Sequence, residues 1–187
     1  MKVEKTNIDG VFVIEPKVFG DSRGYFFESF SAKDFQDQTG MNISFVQDNE
    51  SLSSKGTIRG LHFQKPPYTQ AKLVRVIKGA VQDIIVDLRK NSPTYGQHFK
   101  IVLSEENKTQ LFVPEGFAHG FLVLEDNTIF QYKCNKYYEP SSEGSVKWND
   151  PQLNIEWMID SEEEGLLSAK DKNAPSFEEF KKTNIYF

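Results

Sequence analysis

Arg59, His62 and Lys72 share the eighteen-residue stretch RGLHFQKPPYTQAKLVRV (59–76), whose apolar neighbours belong in a core. An imidazole moves protons near neutral pH, and a fixed ammonium or guanidinium stabilises negative charge where it develops. In GLHFQ, His62 alternates with Leu61 and Phe63 and so faces away from them. A histidine so placed is ordinarily structural, and a lone Arg or Lys on a strand is ordinarily a solvated outer face. The neighbourhood argues for more, because a strand pair joined through KPPYTQ brings Lys72 close to His62. Other polar residues with chemical capacity occupy strand-like positions along the chain: Arg23, Glu28, Gln47, Asn49, His119, Tyr132, Glu143 and the Lys170–Asp171 pair. Each has an ordinary reading too. Tyr132 is a half-buried strand aromatic, and Asp171 is the capping partner of Ser168 at a helix start.

The elements that must position these residues are mostly strands. Sixteen Phe and seven Tyr among 187 residues favour pleated, half-buried surfaces. Short β-branched and aromatic runs recur at VFVIEP (11–16), YFFESF (25–30), ISFVQDN (43–49), KLVRVI (72–77), AVQDIIVDL (80–88), HFKIVL (98–103), QLFVPE (110–115), AHGFLVLE (118–125) and TIFQYKCNKYY (128–138). That spacing predicts an all-β sandwich or barrel. Lys78-Gly79 and Asp126-Asn127 stand where tight hairpin turns would go. In AVQDIIVDLR one face carries Val81, Asp83, Ile85 and Asp87, so the interior admits charge. Helices are few: one after Ser31, closed by Gly40, and one over 176–182. GSVKWNDPQLNIEW (144–157) reads as a packed loop with a short strand.

The chain reads as one domain over 1–187, without repeat, linker or low-complexity tract. A net charge of −5 argues against a nucleic-acid partner. The single cysteine, Cys134, forms no internal disulfide, there is no secretory signal pattern, and no apolar run approaches the roughly 20 residues that cross a bilayer. A soluble cytoplasmic protein with no membrane partner is expected.

PEGFAHGF (114–121) resembles the second half of the cupin signature, in which the histidine is often a metal ligand. The first half would need a His-x-His pair, and the corresponding place reads His62-Phe63-Gln64. With only His98 left over, the expected site is cupin-like and holds no metal.

Taken in order, DSRGYFFE, FVQDNES, GTIRGLHFQ, QAKLVRVIKG, VDLRKNSPTYG, VPEGFAHGF, QYKCNKYYEP, IEW and LSAKD resemble the dTDP-4-dehydrorhamnose 3,5-epimerase family over nearly the whole chain. The resemblance implies a cupin-type jelly roll (double-stranded β-helix) with a few short helices, a homodimer, and no metal or other cofactor. It implies epimerisation of dTDP-4-dehydro-6-deoxy-D-glucose to dTDP-4-dehydro-L-rhamnose. The C4 ketone makes the C3 and C5 protons removable once the enolate oxygen is stabilised. By resemblance, His62 is the base, Asp171 orients it, Lys72 meets the O4 oxyanion with Arg59 assisting, and Tyr132 delivers a proton from the opposite face of the sugar. Arg23 and Lys170 match diphosphate contacts, while Gln47, Asn49, Glu28 and Glu143 match hydrogen-bonding positions around thymidine and ribose. Tyr138 and Phe26 match thymine-stacking positions, and His119 a sugar contact. The N-terminal strands VFVIEP and YFFESF are the segments open to exchange between subunits. Two alternatives remain open from sequence: an epimerase acting at C3 only or C5 only, and a non-catalytic sugar-nucleotide-binding cupin. A metal-dependent cupin oxygenase is the remotest.

Overall fold

A computed structural model describes residues 1–159 and 165–187. Among these residues, the backbone forms two facing antiparallel sheets, a separate two-stranded hairpin and three short helices. The six-stranded sheet runs β1 (Lys2–Lys5), β2 (Phe12–Glu15), β10 (Gln110–Val113), β7 (Lys72–Lys78), β12 (Thr128–Cys134), β5 (Gln47–Ser53). The five-stranded sheet runs β13 (Glu143–Ser145), β6 (Ile58–Gln64), β11 (Phe117–Val123), β8 (Ala80–Asp87), β9 (His98–Ser104). The hairpin pairs β3 (Val18–Asp21) with β4 (Gly24–Phe27), and the helices are α1 (Ala32–Thr39), α2 (Ala169–Lys172) and α3 (Phe177–Lys181).

The core lies between the sheets. Val74 and Val76 of β7, Leu111 and Val113 of β10 and Phe130 of β12 meet Val81 and Ile85 of β8, Leu103 of β9 and Phe117, Phe121 and Val123 of β11. These are alternate residues of their strands, as period-two pleating requires. Both outer faces are covered as well. Phe35 of α1 packs on Phe12, Ile14, Leu73 and Phe112 behind the six-stranded sheet. Phe177 and Phe180 of α3, with Val146 and Leu153, pack on Leu61, Phe63, Ile84 and Val86 behind the five-stranded sheet. This explains why all eight residues of β8 are buried. On its outer face, Gln82 is satisfied by donating to the Glu156 carbonyl (2.9 Å) and accepting from the Met158 amide (2.8 Å).

The expected strands form, with corrections. YFFESF is a strand only as far as Phe27. ISFVQDN pairs only from Gln47 onward, because Ile43 and Phe45 anchor instead in the aromatic cluster around Phe35. TIFQYKCNKYY leaves the sheet after Cys134. The turns at Lys78-Gly79 and Asp126-Asn127 are not hairpins: β7 and β8 lie in opposite sheets, as do β11 and β12, so each is a corner carrying the chain across the sandwich. The left-handed conformations of Gly79 (φ 77°) and Asn127 (φ 56°) make those corners tight.

The same holds for KPPYTQ. It does not join a strand pair; it carries the chain from β6 to β7 in the facing sheet. The crossing is pinned by Lys65 N–H to the Ser142 carbonyl (2.7 Å) and by Gln64 Nε2 to the Tyr68 carbonyl (2.7 Å). Gln70 Nε2 donates to the Lys136 carbonyl (2.7 Å). Lys72 therefore starts β7 on the wall opposite His62.

The N-terminal segments divide. VFVIEP is taken up by this chain's own sheet, with Phe12 and Ile14 buried. The β3–β4 hairpin instead leaves Phe19, Tyr25 and Phe26 at 54%, 60% and 71% exposure, an apolar surface that a lone chain does not cover.

Candidate active site

A cavity of about 390 Å³ opens between the two sheets at one end of the sandwich. His62, Arg59 and His119 line it from the five-stranded sheet; Lys72, Tyr132 and Asn49 line it from the six-stranded sheet; Asp171 and Ser168 close it from the start of α2. Thus seven of the residues singled out in the sequence converge on one space.

A β-bulge sets the five-stranded wall. On β11, His119 and Phe121 are two apart; opposite them on β6, His62 and Arg59 are three apart. The extra residue lets Arg59 and His62 face the same cavity, which simple alternation would forbid. Gly60 absorbs the bend at φ 135°, with its Cα against the backbone of Gly120, so no side chain fits there. His62 and His119 are direct cross-strand partners and share one face.

Asp171 performs both roles weighed for it. Its Oδ2 accepts from the Ser168 hydroxyl (2.8 Å) and its amide donates to Ser168 Oγ (3.1 Å), capping α2. Its Oδ1 meets His62 Nε2 at 2.5 Å. With Nε2–H donating to the carboxylate, Nδ1 is the nitrogen left with a lone pair. Burial opposes ionisation of Asp171, but the hydrogen bond from His62, that ring's charge and the Ser168 hydroxyl together hold its carboxyl below the usual range. The anion is therefore available to steady an imidazolium.

On the facing wall, Lys72 makes no hydrogen bond or ion pair among the described residues; its ammonium stands 5.6 Å from the centre of the Tyr132 ring. Burial pushes the Lys72 ammonium below the ordinary lysine value, opposed by Cys134, Asp83 and Glu143. Its three N–H groups are free for an oxygen that becomes negative. The Tyr132 phenol is pushed up to about 12, chiefly by burial and next by Cys134, so it is protonated throughout the neutral range.

A polar chain leads away from Asn49, which lines the cavity, through residues that do not line it themselves. Gln47 Nε2 donates to Asn49 Oδ1 (2.9 Å), and Gln47 Oε1 accepts from the Tyr138 amide (3.0 Å). The Tyr138 hydroxyl donates to Glu143 Oε2 (3.2 Å), and Glu143 is in turn ion-paired with Lys170. Although burial opposes it, the hydrogen bonds from Lys170 and Tyr138 hold the Glu143 carboxyl below its usual range. Tyr138 is 51% exposed.

Three of the expected binding residues lie elsewhere. Arg23, at the tip of the hairpin, is 88% exposed and paired with Asp21 at 2.5 Å. Phe26 and Glu28 line a different cavity of about 260 Å³ between the hairpin and α1. Within one chain they do not join the His62 cavity, because β3 and β4 pair only with each other. Conversely, sequence reading gave Ser168 only a capping role and passed over Thr57, Glu50 and Ser51, which line the cavity with it, and the partnership of Asp83 with His119 at 2.9 Å. An aspartate in the midst of AVQDIIVDL was the signal for the last. Among the described residues, no three His, Cys, Asp or Glu side chains are grouped as a metal ion requires. Nor is any described helix long and apolar enough to cross a membrane.

The chain is similar to known proteins over most of its length. Residues 5–179 match the family model described as dTDP-4-dehydrorhamnose 3,5-epimerase. The chain is 53% identical over 175 residues to the dTDP-4-dehydrorhamnose 3,5-epimerase of Salmonella typhimurium, covering 94% of each. The crystal structure of the enzyme of the same name from Elizabethkingia anophelis superposes with a TM-score of 0.91 at 52% identity, over 96% of this chain and 97% of that one. The dTDP-6-deoxy-D-glucose-3,5-epimerase of Legionella pneumophila, solved in complex with dTDP-4-keto-L-rhamnose, superposes with a TM-score of 0.89 at 49% identity, covering 94% and 92%.

Proposed function

The chain belongs to the dTDP-4-dehydrorhamnose 3,5-epimerase family, and we propose that it inverts C3 and C5 of dTDP-4-dehydro-6-deoxy-D-glucose to give dTDP-4-dehydro-L-rhamnose. One observation carries this reading: the His62–Asp171 pair on one wall faces Lys72 and Tyr132 on the other across a single cavity. His62 removes the proton next to the C4 ketone, and Asp171 steadies the imidazolium that results. The electron pair moves onto O4, where the unpaired Lys72 ammonium, assisted by Arg59 from the opposite wall, stabilises the enolate. Inversion needs the new proton to arrive from the other face of the ring. Tyr132, on the facing sheet and fully protonated at neutral pH, supplies it at C5, and solvent entering the open cavity supplies it at C3.

The dTDP group lies along the mouth, with thymine on Tyr138, the nucleoside hydrogen-bonded to Gln47, Asn49 and Glu143, and the diphosphate meeting Lys170. Arg23, Phe26 and Glu28 reach a dTDP group only from a second copy of the chain. The exposed apolar hairpin that carries them supports a homodimer in which each hairpin completes its partner's mouth. The expected solution mass at micromolar concentration is twice 21.5 kDa. A stable monomer by light scattering would contradict the shared mouth. The working location in this reading is the cytoplasm, where sugar nucleotides are made.

Coupled turnover of dTDP-4-dehydro-6-deoxy-D-glucose with a downstream NADPH-dependent reductase tests the activity directly. Turnover that depends on this protein supports it; no turnover with intact dTDP binding would favour a non-catalytic sugar-nucleotide binder. The Tyr132→Phe variant separates the two faces. Deuterium from solvent still enters next to the ketone through His62, while formation of the C5-inverted product falls by about 10²-fold or more, the usual worth of a positioned acid. Equal loss of exchange and inversion would remove Tyr132 from the donor role.

A further inference from the structure

Ser53 ends β5 on the inner face of the six-stranded sheet. Alternation sets Gln47, Asn49, Ser51 and Ser53 toward the space between the sheets and leaves Asp48, Glu50 and Leu52 exposed on the other side. Ser53 is 8% exposed, and its hydroxyl takes no part in the chemistry above. Its oxygen accepts from Arg59 Nε–H at 3.2 Å. Ser53 belongs to one sheet and Arg59 to the other, so this bond crosses the sandwich beside the cavity that Arg59 lines. The chain between them is itself fixed. Thr57 N–H donates to the Ser54 carbonyl (3.2 Å), Gly56 N–H to the Val123 carbonyl (2.9 Å) and Lys55 N–H to Asp126 Oδ1 (3.0 Å).

Arg59 is an exposed residue on its strand, and its long side chain has many rotamers open to it unless a partner orders it. The four arginines of the chain are ordered in different ways. Arg23 and Arg89 are paired with Asp21 and Asp87. Arg75 donates to the Gln131 side-chain oxygen (3.2 Å) with its guanidinium over the Phe27 ring. Arg59 makes no ion pair among the described residues, and its one side-chain hydrogen bond among them goes to the Ser53 hydroxyl. The difference is chemical. A carboxylate would hold the arm and cancel its charge, whereas a neutral oxygen holds the arm and leaves the charge whole. With Nε–H engaged, the donors on Nη1 and Nη2 are left for another oxygen. The bulge at Gly60 brings the guanidinium into the sandwich, and Ser53 fixes where it stands there.

We propose that Ser53 is a positioning residue for the epimerisation: by accepting from Nε it holds the Arg59 guanidinium in the cavity, with its charge uncancelled and its Nη groups turned to the oxygen that becomes negative. This rests on the reading of Arg59 as the residue that assists Lys72 at O4. The enolate oxygen is then met from both sheets, by Lys72 from one and by an anchored Arg59 from the other.

Ser53→Ala removes the acceptor and little else. The expected result is a fall in kcat of about 5- to 30-fold, a part of the roughly 10²–10³ that outright loss of such a donor costs, with KM and dTDP affinity within about twofold of wild type. Ser53→Thr keeps the hydroxyl on a residue suited to a strand and is expected to retain about half of kcat or more. In an Arg59→Met background, adding Ser53→Ala is expected to cost less than about twofold, because the serine then has nothing to hold. Ser53→Cys, close to serine in size and a weak acceptor, is the second test variant, and thermal melting reports whether each is folded. Wild-type kcat in folded Ser53→Ala and Ser53→Cys proteins would overturn the proposal. So would an undiminished loss in the Arg59→Met background, or a Ser53→Thr protein no more active than Ser53→Ala. A rise in KM at unchanged kcat would put Arg59 on the nucleotide and overturn it as well. Failure of both Ser53→Ala and Ser53→Cys to fold would mark a purely structural serine, with the same consequence. Absence of turnover in the wild-type protein is a different result, and it strikes the proposed function instead.

Discussion

Replacing His62 with asparagine is expected to lower turnover by about 10⁴-fold or more while leaving dTDP binding within a few-fold of wild type. A positioned base is worth about 10²–10⁴ by itself, and here the same ring also presents the Asp171 carboxylate with the only cation formed during the reaction. Asparagine is shorter than the imidazole and its amide reaches only about the Nδ1 position, so the contact that His62 Nε2 makes with Asp171 Oδ1 at 2.5 Å is lost with the ring. The capping of α2 through Ser168 is untouched, so the fold is retained. What disappears is the lone pair that takes a carbon-bound proton. Calorimetric titration with dTDP and a turnover assay together check this. Retention of more than a tenth of wild-type turnover would assign the base elsewhere, with His119 as the nearest candidate.

Lys72→Met is expected to divide activity from stability. Loss of the ammonium removes the charge proposed to meet O4, and deleting one such group costs about 10²–10³ in kcat. Folding stability goes the other way. The ammonium's affinity for its proton is lower in the folded chain than in the unfolded one, because burial disfavours the charge more than Cys134, Asp83 and Glu143 restore it. Wherever the pH lies below both values, the lysine is charged in either state and its burial is a standing cost. That cost is relieved only as pH rises through the folded value toward the unfolded one. Methionine has a similar length and no charge, so the expected melting temperature is equal to or above wild type, at about 2–4 °C per kcal/mol for a chain of this size. A variant that melts markedly lower would show that Lys72 holds the two sheets together, and full activity would remove it from the oxyanion role.

Much of the sandwich was legible because its strands obey period two. KLVRVI, HFKIVL and AHGFLVLE each fix an inner face, and the chain follows them. Illegible were the features set by other strands. Tight turns at Gly79 and Asn127 look the same in sequence whether the next strand pairs with the last or crosses to the facing sheet. Lys2–Lys5 and Val18–Asp21 are short and carry few apolar residues on a consistent face, so they become strands only because β2 and β4 offer them an edge.

The site divides along the same line. His62, Lys72, Tyr132 and Asp171 stood out by type and order, and one cavity gathers them. That Arg59 shares a face with His62 depends on the bulge at Gly60, which alternation contradicts. The Ser168–Asp171 spacing announces a helix cap but not that the same carboxylate also reaches His62, 109 residues away. Arg23, Phe26 and Glu28 belong to a hairpin whose position relative to the mouth is a matter of assembly, which no pattern within one chain encodes.

The central claim is that a base and an acid stand on opposite walls around one keto sugar. Solvent labelling tests it most directly: wild-type protein is incubated with dTDP-4-dehydro-6-deoxy-D-glucose in deuterium oxide, and the product is read by proton NMR. The expected result is deuterium at both C3 and C5 with both centres inverted. Label at one carbon alone after full conversion, or inversion without label at either, would contradict it.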